Sequence, residues 1–176
     1  MADAARRIHE PTDWDDFRDL RERWNGPTVL KGVANPNDAA LAAEIGIDAI
    51  QVSNHGGRQL DHMAAPLDVL ADIVERTAGR MEIIVDGGIR RGSDVAKALV
   101  LGTDACSIGR HYLYGLAAAS EAGVAHVLKM FRAEMTRTMM LLGVSTIEEL
   151  RAEGRERSPA PNPPISPRPH PSDLHK

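Results

Sequence analysis

Four short apolar runs in this sequence end in a polar or charged side chain, and a helical pattern follows each of them. The runs cover residues 28–33, 48–53, 81–85 and 104–108. Strands that alternate with helices predict parallel βα units. Because parallel α/β folds bind ligands at the carboxyl ends of their strands, we expect the chemistry of this chain at the ends of these four runs.

The helical patterns between the runs have recognisable starts. Thr12 and Asp15 resemble a capping box, with Asp in place of the usual Glu. Asn35 can cap the second helix, with Pro36 at its first position, and Ser93 can cap a later one. An aromatic and apolar stripe recurs at helical spacing in the first helix and is better explained by core packing than by a cofactor site. Its members are Trp14, Phe17, Leu20 and Trp24. Further helices are predicted over 112–119, 122–142 and 146–152.

The loop after the second run, Ser-Asn-His-Gly-Gly-Arg-Gln-Leu-Asp over residues 53–61, has the composition of a reactive site. Its two glycines permit positive φ and a close approach of the backbone to a ligand. His55 can move a proton near neutral pH. Arg58 can bind a carboxylate through two parallel hydrogen bonds.

Other polar residues at the strand ends are further candidates. Lys31 lies in an otherwise apolar strand, where an unpaired buried ammonium is costly, so it indicates a functional partner. For Asp86, a loop or capping role competes with a binding role. Two loops combine glycine with arginine, as do the phosphate-holding loops after the last two strands of many (β/α)8 barrels. They are Asp86-Gly87-Gly88-Ile89-Arg90-Arg91-Gly92 and Gly109-Arg110. Arg91 better fits a solvated or structural role.

The length limits the architecture. An eight-stranded barrel needs at least about 200 residues, whereas the four units here occupy roughly 150. We therefore predict an α/β half-barrel over residues 1–153. Seven of the 11 prolines lie between Pro159 and Pro171, so residues 154–176 are predicted to form a disordered Pro-rich tail.

Four motifs in register make the chain resemble the FMN-dependent α-hydroxy acid dehydrogenase and oxidase family, which includes glycolate oxidase and the flavin-type lactate dehydrogenases. The motifs are Val-Leu-Lys-Gly-Val, Ser-Asn-His-Gly-Gly-Arg-Gln, Asp-Gly-Gly-Ile-Arg-Arg-Gly and Ile-Gly-Arg. The resemblance covers about residues 12–150. It implies the carboxyl-terminal half of a (β/α)8 TIM barrel, strands five to eight with their helices, and FMN as the cofactor.

The resemblance also implies roles for individual residues. His55 would take a proton from a small 2-hydroxy acid such as lactate or glycolate, and Arg58 would pair with the carboxylate of that substrate. Lys31 would stabilise the electron-rich reduced flavin ring. The remaining cofactor contacts are expected from Ser53, Asp86, Gly87, Gly88, Ile89, Arg90, Gly109 and Arg110. The identity of the 2-hydroxy acid and of the electron acceptor stays open.

Family members carry four further βα units ahead of this region. The resemblance implies that those units hold a second carboxylate-binding arginine and an aspartate that supports the protonated histidine. Three hypotheses follow. The chain is the carboxyl half of an enzyme that works with an amino-terminal half-barrel, or a catalytically inactive truncated remnant, or a homodimeric phosphate- or flavin-binding module. Unpaired edges on the outer strands would favour association.

Other classes of protein are disfavoured. The net charge of −4 and the lack of a basic stripe argue against nucleic acid. No apolar run approaches the about 20 residues of a transmembrane helix, and the first ten residues lack a signal peptide, so we expect a cytoplasmic location. Cys106 is predicted to be a buried structural thiol. No metal site is expected, because no partners at ligand spacing accompany His62, His111 or His126.

Overall fold

A computed structural model describes residues 12–157 and shows four strands alternating with helices. The strands are β1 (Val29–Val33), β2 (Ala49–Ser53), β3 (Glu82–Asp86) and β4 (Ala105–Ser107). The helices are α1 (Trp14–Arg23), α2 (Pro36–Glu44), α3 (Pro66–Thr77), α4 (Gly92–Val100), α5 (Arg110–Leu142) and α6 (Ile147–Arg157), with a short 3-10 turn at His55–Gly57. Each predicted strand is present, within one or two residues at its ends.

The four strands form one parallel sheet in the order β1-β2-β3-β4. A parallel sheet in chain order, with a helix between each pair of strands, is the arrangement of half a (β/α)8 barrel. Within the described residues, β1 pairs only with β2 and β4 only with β3, so both outer strands have an open edge. The α/β half-barrel is confirmed.

The main core lies between the sheet and its helices. Ile50, Val52, Ile83 and Val85 point to this side and are almost completely buried, together with Leu70 and Ile73 of α3. On the opposite face of the sheet, alternate residues carry Lys31, Ser53 and Asp86. The helix-free face therefore carries the polar residues that the sequence places at the strand ends.

Helix α1 differs from the prediction in two respects. Its capping box is one residue later, with Asp13 as the N-cap and Asp16 as its reciprocal partner. Leu20 and Trp24 are each 54% exposed rather than part of the core. With Val29 they line an apolar groove of about 300 Å³ beside the open edge of β1. The sequence correctly indicates an apolar stripe, but the described chain has nothing to cover it.

Helix α4 begins at Gly92, one residue before the Ser93 cap that the sequence suggests. The capping acceptor is instead the carboxylate of Asp94, which receives hydrogen bonds from the backbone N–H groups of Arg90 and Arg91, both at 3.0 Å. A charged carboxylate is the stronger acceptor for these exposed donors.

The long helix α5 consists of two segments, as predicted, because Ala119 and Ser120 leave the helical conformation. The segments cross at Gly115 and Gly123, which are buried against each other's backbone. A Cβ atom on Gly115 would lie 2.6 Å from the carbonyl oxygen of Gly123. Only glycine permits this close crossing, which fixes the segment that begins at Arg110.

Helix α6 packs Leu150 into a second apolar cluster beside α4. The Nη2 atom of Arg151 donates a 2.9 Å hydrogen bond to the carbonyl oxygen of Thr103. The helix continues to Arg157, four residues beyond the predicted domain boundary at 153. The predicted disordered tail otherwise lies outside the described residues. None of the helices between residues 12 and 157 is long and apolar enough to cross a membrane.

Candidate active site

Lys31, Ser53 and Asp86 meet at the carboxyl ends of three adjacent strands. The Ser53 hydroxyl donates a 3.0 Å hydrogen bond to Oδ2 of Asp86. The Lys31 ammonium lies 3.4 Å from the same carboxylate oxygen and 3.5 Å from the Ser53 hydroxyl. Strand register produces the cluster, since Ser53 and Asp86 are direct neighbours in the parallel ladder of β2 and β3.

The surroundings of Lys31 differ from the sequence-based expectation. Its side chain is 45% exposed rather than buried, and Asp86, at 22%, supplies its charge partner. An exposed pair of this kind contributes about 0–1 kcal/mol to stability, so stability alone is a weak reason for the arrangement. The ammonium remains open to the helix-free face, where a bound group would meet it.

His55 follows β2 in an unusual run of backbone conformations. Its φ is +53°, and Gly56 and Gly57 continue at +65° and +75°. A left-handed conformation at a residue with a side chain costs roughly 1–2 kcal/mol, so local contacts must hold it. The backbone N–H of His55 donates to the Ser53 hydroxyl at 3.1 Å. The Asn54 side chain accepts the N–H of Gly56 at 3.0 Å.

The imidazole of His55 lies against the backbone of Gly32. A Cβ atom built on Gly32 would stand 2.5 Å from Cε1 and 3.2 Å from Nε2 of the ring. The ladder between β1 and β2 shifts register between Lys31 and Val33, at this same glycine. His55 is thereby brought beside the strand that carries Lys31.

Arg58 is exposed, and its guanidinium makes no hydrogen bond or ion pair with any residue of the described range. Only its backbone N–H is engaged, with the His55 carbonyl at 3.4 Å. His55 and Arg58 thus share one loop, but their side chains are not joined. A free guanidinium at this position can still take a carboxylate through two parallel hydrogen bonds.

The loop after β3 presents backbone rather than side chains. Gly87 and Gly88 adopt φ of +104° and +78°, and a Cβ on Gly88 would meet no atom within 4 Å. Ile89 is 4% exposed and belongs to the core, so only its main chain can face a ligand. Arg90 is exposed, with no carboxylate partner for its side chain in the described chain.

Gly109 and Arg110 occupy the equivalent position after β4. A Cβ atom built on Gly109 would meet no atom within 4 Å, and the Arg110 side chain is exposed at the start of α5 without an ion-pair partner among the described residues.

Neighbouring Cys106 is partly buried on β4, and burial raises the pKa of its thiol to about 11. A thiol protonated at neutral pH is a poor nucleophile, in keeping with its predicted structural role.

Two residues near the site were overlooked by the sequence reasoning. Gly32 supports the His55 ring, and a glycine inside a strand is itself a signal of close approach by another group. Asn54 shapes the His55 loop. An asparagine two residues before a pair of glycines is typical of a turn, because its side chain can bond the backbone two residues on, so that signal was also present.

The arrangement fits an anionic, ring-bearing cofactor. Two glycine loops with open space, and the guanidinium groups of Arg90 and Arg110 with which no residue between 12 and 157 pairs, suit a phosphate, while the ammonium of Lys31 suits a group that gains electrons. These features define a βα-barrel protein of the kind that binds a phosphorylated cofactor at the carboxyl ends of its strands.

The family can be stated more closely. The family model of the FMN-dependent dehydrogenases matches residues 1–156. The chain belongs to this family, which confirms the resemblance and identifies FMN as the family's cofactor.

Individual members of known sequence or structure are similar to this chain over about four fifths of its length. The chain is 45% identical over 146 residues to an L-lactate oxidase of Nostoc, covering 83% of this chain and 40% of that protein. It is 48% identical over 143 residues to the pre-mycofactocin synthase of Mycolicibacterium smegmatis, covering 81% and 36%. A mandelate oxidase variant solved with an FMN adduct superposes with a TM-score of 0.76 at 40% identity, covering 80% and 45%. The chain therefore spans less than half the length of these relatives.

Proposed function

We propose that this chain forms the carboxyl half of an FMN-dependent active site that oxidises a small L-2-hydroxy acid, such as lactate or glycolate, to the 2-oxo acid. The observation that carries the proposal is the cluster of Lys31, Ser53 and Asp86 beside His55 at the strand ends. A base, an anion-binding arginine and a cation for an electron acceptor are the groups that this oxidation requires.

The proposal gives each residue of the site a role. His55 would accept a proton from the substrate, and Arg58 would anchor its carboxylate. Lys31 and Ser53 would hold the flavin ring, and Asp86 would contact the cofactor while pairing with Lys31. Gly87, Gly88, Ile89, Arg90, Gly109 and Arg110 would surround the ribityl phosphate. When bound, FMN supplies the acceptor for the two electrons that leave the substrate.

The proposal includes a partner. Both outer strands have open edges, and apolar side chains of α1 line a groove beside β1. An amino-terminal half-barrel with four further strands would pair both edges and cover the helix-free face. A cytoplasmic location stays a prediction.

A second candidate is a homodimeric module that binds phosphate or flavin without turnover. The open parallel edges of β1 and β4 favour it, since two copies could pair both edges and close eight strands. Each copy would then contribute its own pair of glycine-arginine loops.

Complementation distinguishes these functions. The chain is purified alone and together with the amino-terminal segment of the Nostoc L-lactate oxidase that it does not match, and both samples are assayed for FMN binding, size and oxidation of L-lactate, glycolate and L-mandelate. The proposal predicts FMN binding and turnover only in the complex. A stable dimer that binds FMN without partner or turnover would favour the binding module. A chain inactive in both samples would indicate the truncated remnant.

A matched pair of variants tests the role of the base. Replacing His55 by Ala in the complex should lower the oxidation rate by about 10²–10⁴-fold and leave FMN affinity near the wild-type value. His126→Ala removes an exposed histidine of α5 and should change neither quantity. Equal activity of the two variants would contradict the assignment of His55.

A further inference from the structure

Gly32 differs from an ordinary strand residue in two ways. Its φ is +96°, and the register between β1 and β2 shifts at its position. Irregularities of this kind occur next to active sites, where they re-aim a neighbouring side chain. The side chain beside this one is the imidazole of His55.

We propose that Gly32 is a positioning residue for His55, because the absence of a side chain at Gly32 leaves the space that the imidazole occupies. We call this space beside the Gly32 backbone the seat of the His55 ring. A Cβ atom at Gly32 would lie 2.5, 3.2 and 3.5 Å from Cε1, Nε2 and Nδ1 of the ring. Ordinary contacts begin at 3.4 Å, so an alanine would displace the near edge of the ring by about 1 Å.

The backbone of the His55 loop is braced, so the ring rather than the loop must move. Asn54 accepts the N–H of Gly56 with its side chain at 3.0 Å and that of Gly57 with its carbonyl at 2.9 Å. The side-chain Nδ2 of Asn54 also donates to the Ala64 carbonyl at 3.4 Å. On the strand side, the His55 N–H is held by the Ser53 hydroxyl.

A displacement of this size matters for catalysis because misplacing a reacting group by 1 Å costs about 10²-fold in rate. This consequence rests on the proposed function, in which His55 is the base. The seat itself is a property of the chain and can be measured without cofactor or substrate.

The experiment measures the rate at which diethyl pyrocarbonate modifies His55 in the full chain. Tryptic cleavage after Arg58 places His55 and His62 in different peptides, so mass spectrometry reports them separately. Gly32→Ala should raise the His55 rate several-fold, since the ring is pushed off its seat toward solvent. The rates at His62 and His126 should not change.

Gly102→Ala is the matched control. Gly102 has a similar φ of +107°, and its Cβ would lie 2.9 Å from Cγ1 of Val74, a comparable collision at the other end of the sheet. It should lower stability without changing the His55 rate. An unchanged His55 rate in folded Gly32→Ala, or an equal rise in Gly102→Ala, overturns the proposal.

A second variant decides the case if Gly32→Ala does not fold. In Gly32→Ala with His55→Ala, no ring remains to collide and only the strain of an alanine at φ +96° is left, so part of the lost stability should return and the chain should fold. A double variant that stays unfolded would show that Gly32 is needed for its backbone conformation alone, and the seat would be rejected.

In the complemented enzyme, Gly32→Ala should lower kcat by about 10²-fold with little change in KM. If the wild-type complex shows no turnover, the proposed function fails, whereas the modification rate of His55 still decides whether the seat exists.

Discussion

Replacing Gly123 by Ala should destabilise the chain, although intrinsic helix propensity alone predicts the opposite. Within a helix, Gly→Ala normally stabilises by about 0.5–1 kcal/mol. Here the two segments of α5 cross at Gly115 and Gly123, and a Cβ on Gly123 would overlap the carbonyl oxygen of Gly115. The obstacle is backbone, so no rotamer change can relieve it, and the segments must separate.

The expected loss in free energy of unfolding follows from the contact between Gly115 and Gly123. Overpacking costs about 1–3 kcal/mol and exceeds that when backbone must move. After the propensity gain is subtracted, we expect Gly123→Ala to lower the free energy of unfolding by about 2–3 kcal/mol. For a chain of this size that is a fall in Tm of about 4–12 °C. Gly115→Ala, with its Cβ at 2.6 Å from the Gly123 carbonyl, should cost less.

Thermal unfolding followed by far-ultraviolet circular dichroism measures the change. Ala122→Gly, at an exposed position one residue away, is the control for propensity and should destabilise by only about 1 kcal/mol. A Gly123→Ala variant whose Tm equals or exceeds that of the wild type would refute the close crossing of the two segments.

Three further predictions concern single residues. Ser120 combines φ +50° with ψ −134°, a region suited to glycine, so Ser120→Gly should raise the free energy of unfolding by about 1 kcal/mol in a urea titration, whereas Ser120→Ala should not. The hydroxyl and the N–H of Thr28 donate hydrogen bonds to the Asp48 carboxylate and lower its pKa in the folded chain. The charged carboxylate therefore contributes fully to the stability of the fold above its ordinary pKa of 3.8, and this contribution is lost as pH falls through the lower pKa of the folded state. Asp48→Asn should therefore flatten the loss of stability below about pH 4 in acid titrations, and an unchanged slope would contradict this. Cys106, with its pKa raised to about 11, should react with a disulfide reagent at pH 8 much more slowly than a free thiol, and equal rates would show that it is not buried.

The positions of the strands could be predicted from sequence because each apolar run is short and bounded by glycine, proline or polar residues. The carboxyl-end location of Lys31, Ser53 and Asp86 follows from the same reasoning. Their mutual contacts do not, since they depend on the register of β1, β2 and β3, which no local pattern encodes.

Local sequence patterns do not show which elements pack against each other, and two features of the fold were missed for this reason. Leu20 and Trp24 have helical spacing typical of core residues, yet they are exposed because the described chain provides no element against the open edge of β1. The contact between His55 and Gly32 joins the loop after β2 to strand β1, so spacing could not reveal it. The sequence singled out His55 but not Gly32, and only the fold showed that the two touch.

The central claim is that His55 and its neighbours form half of an FMN-dependent site for 2-hydroxy acid oxidation. Its most direct test is anaerobic reduction of FMN in the complemented protein after a single addition of an L-2-hydroxy acid. The account predicts rapid loss of the visible absorbance of oxidised flavin with at least one of L-lactate, glycolate and L-mandelate, and a rate about 10²-fold or more lower in His55→Ala. An FMN-loaded complex that stays oxidised with all three acids would contradict it.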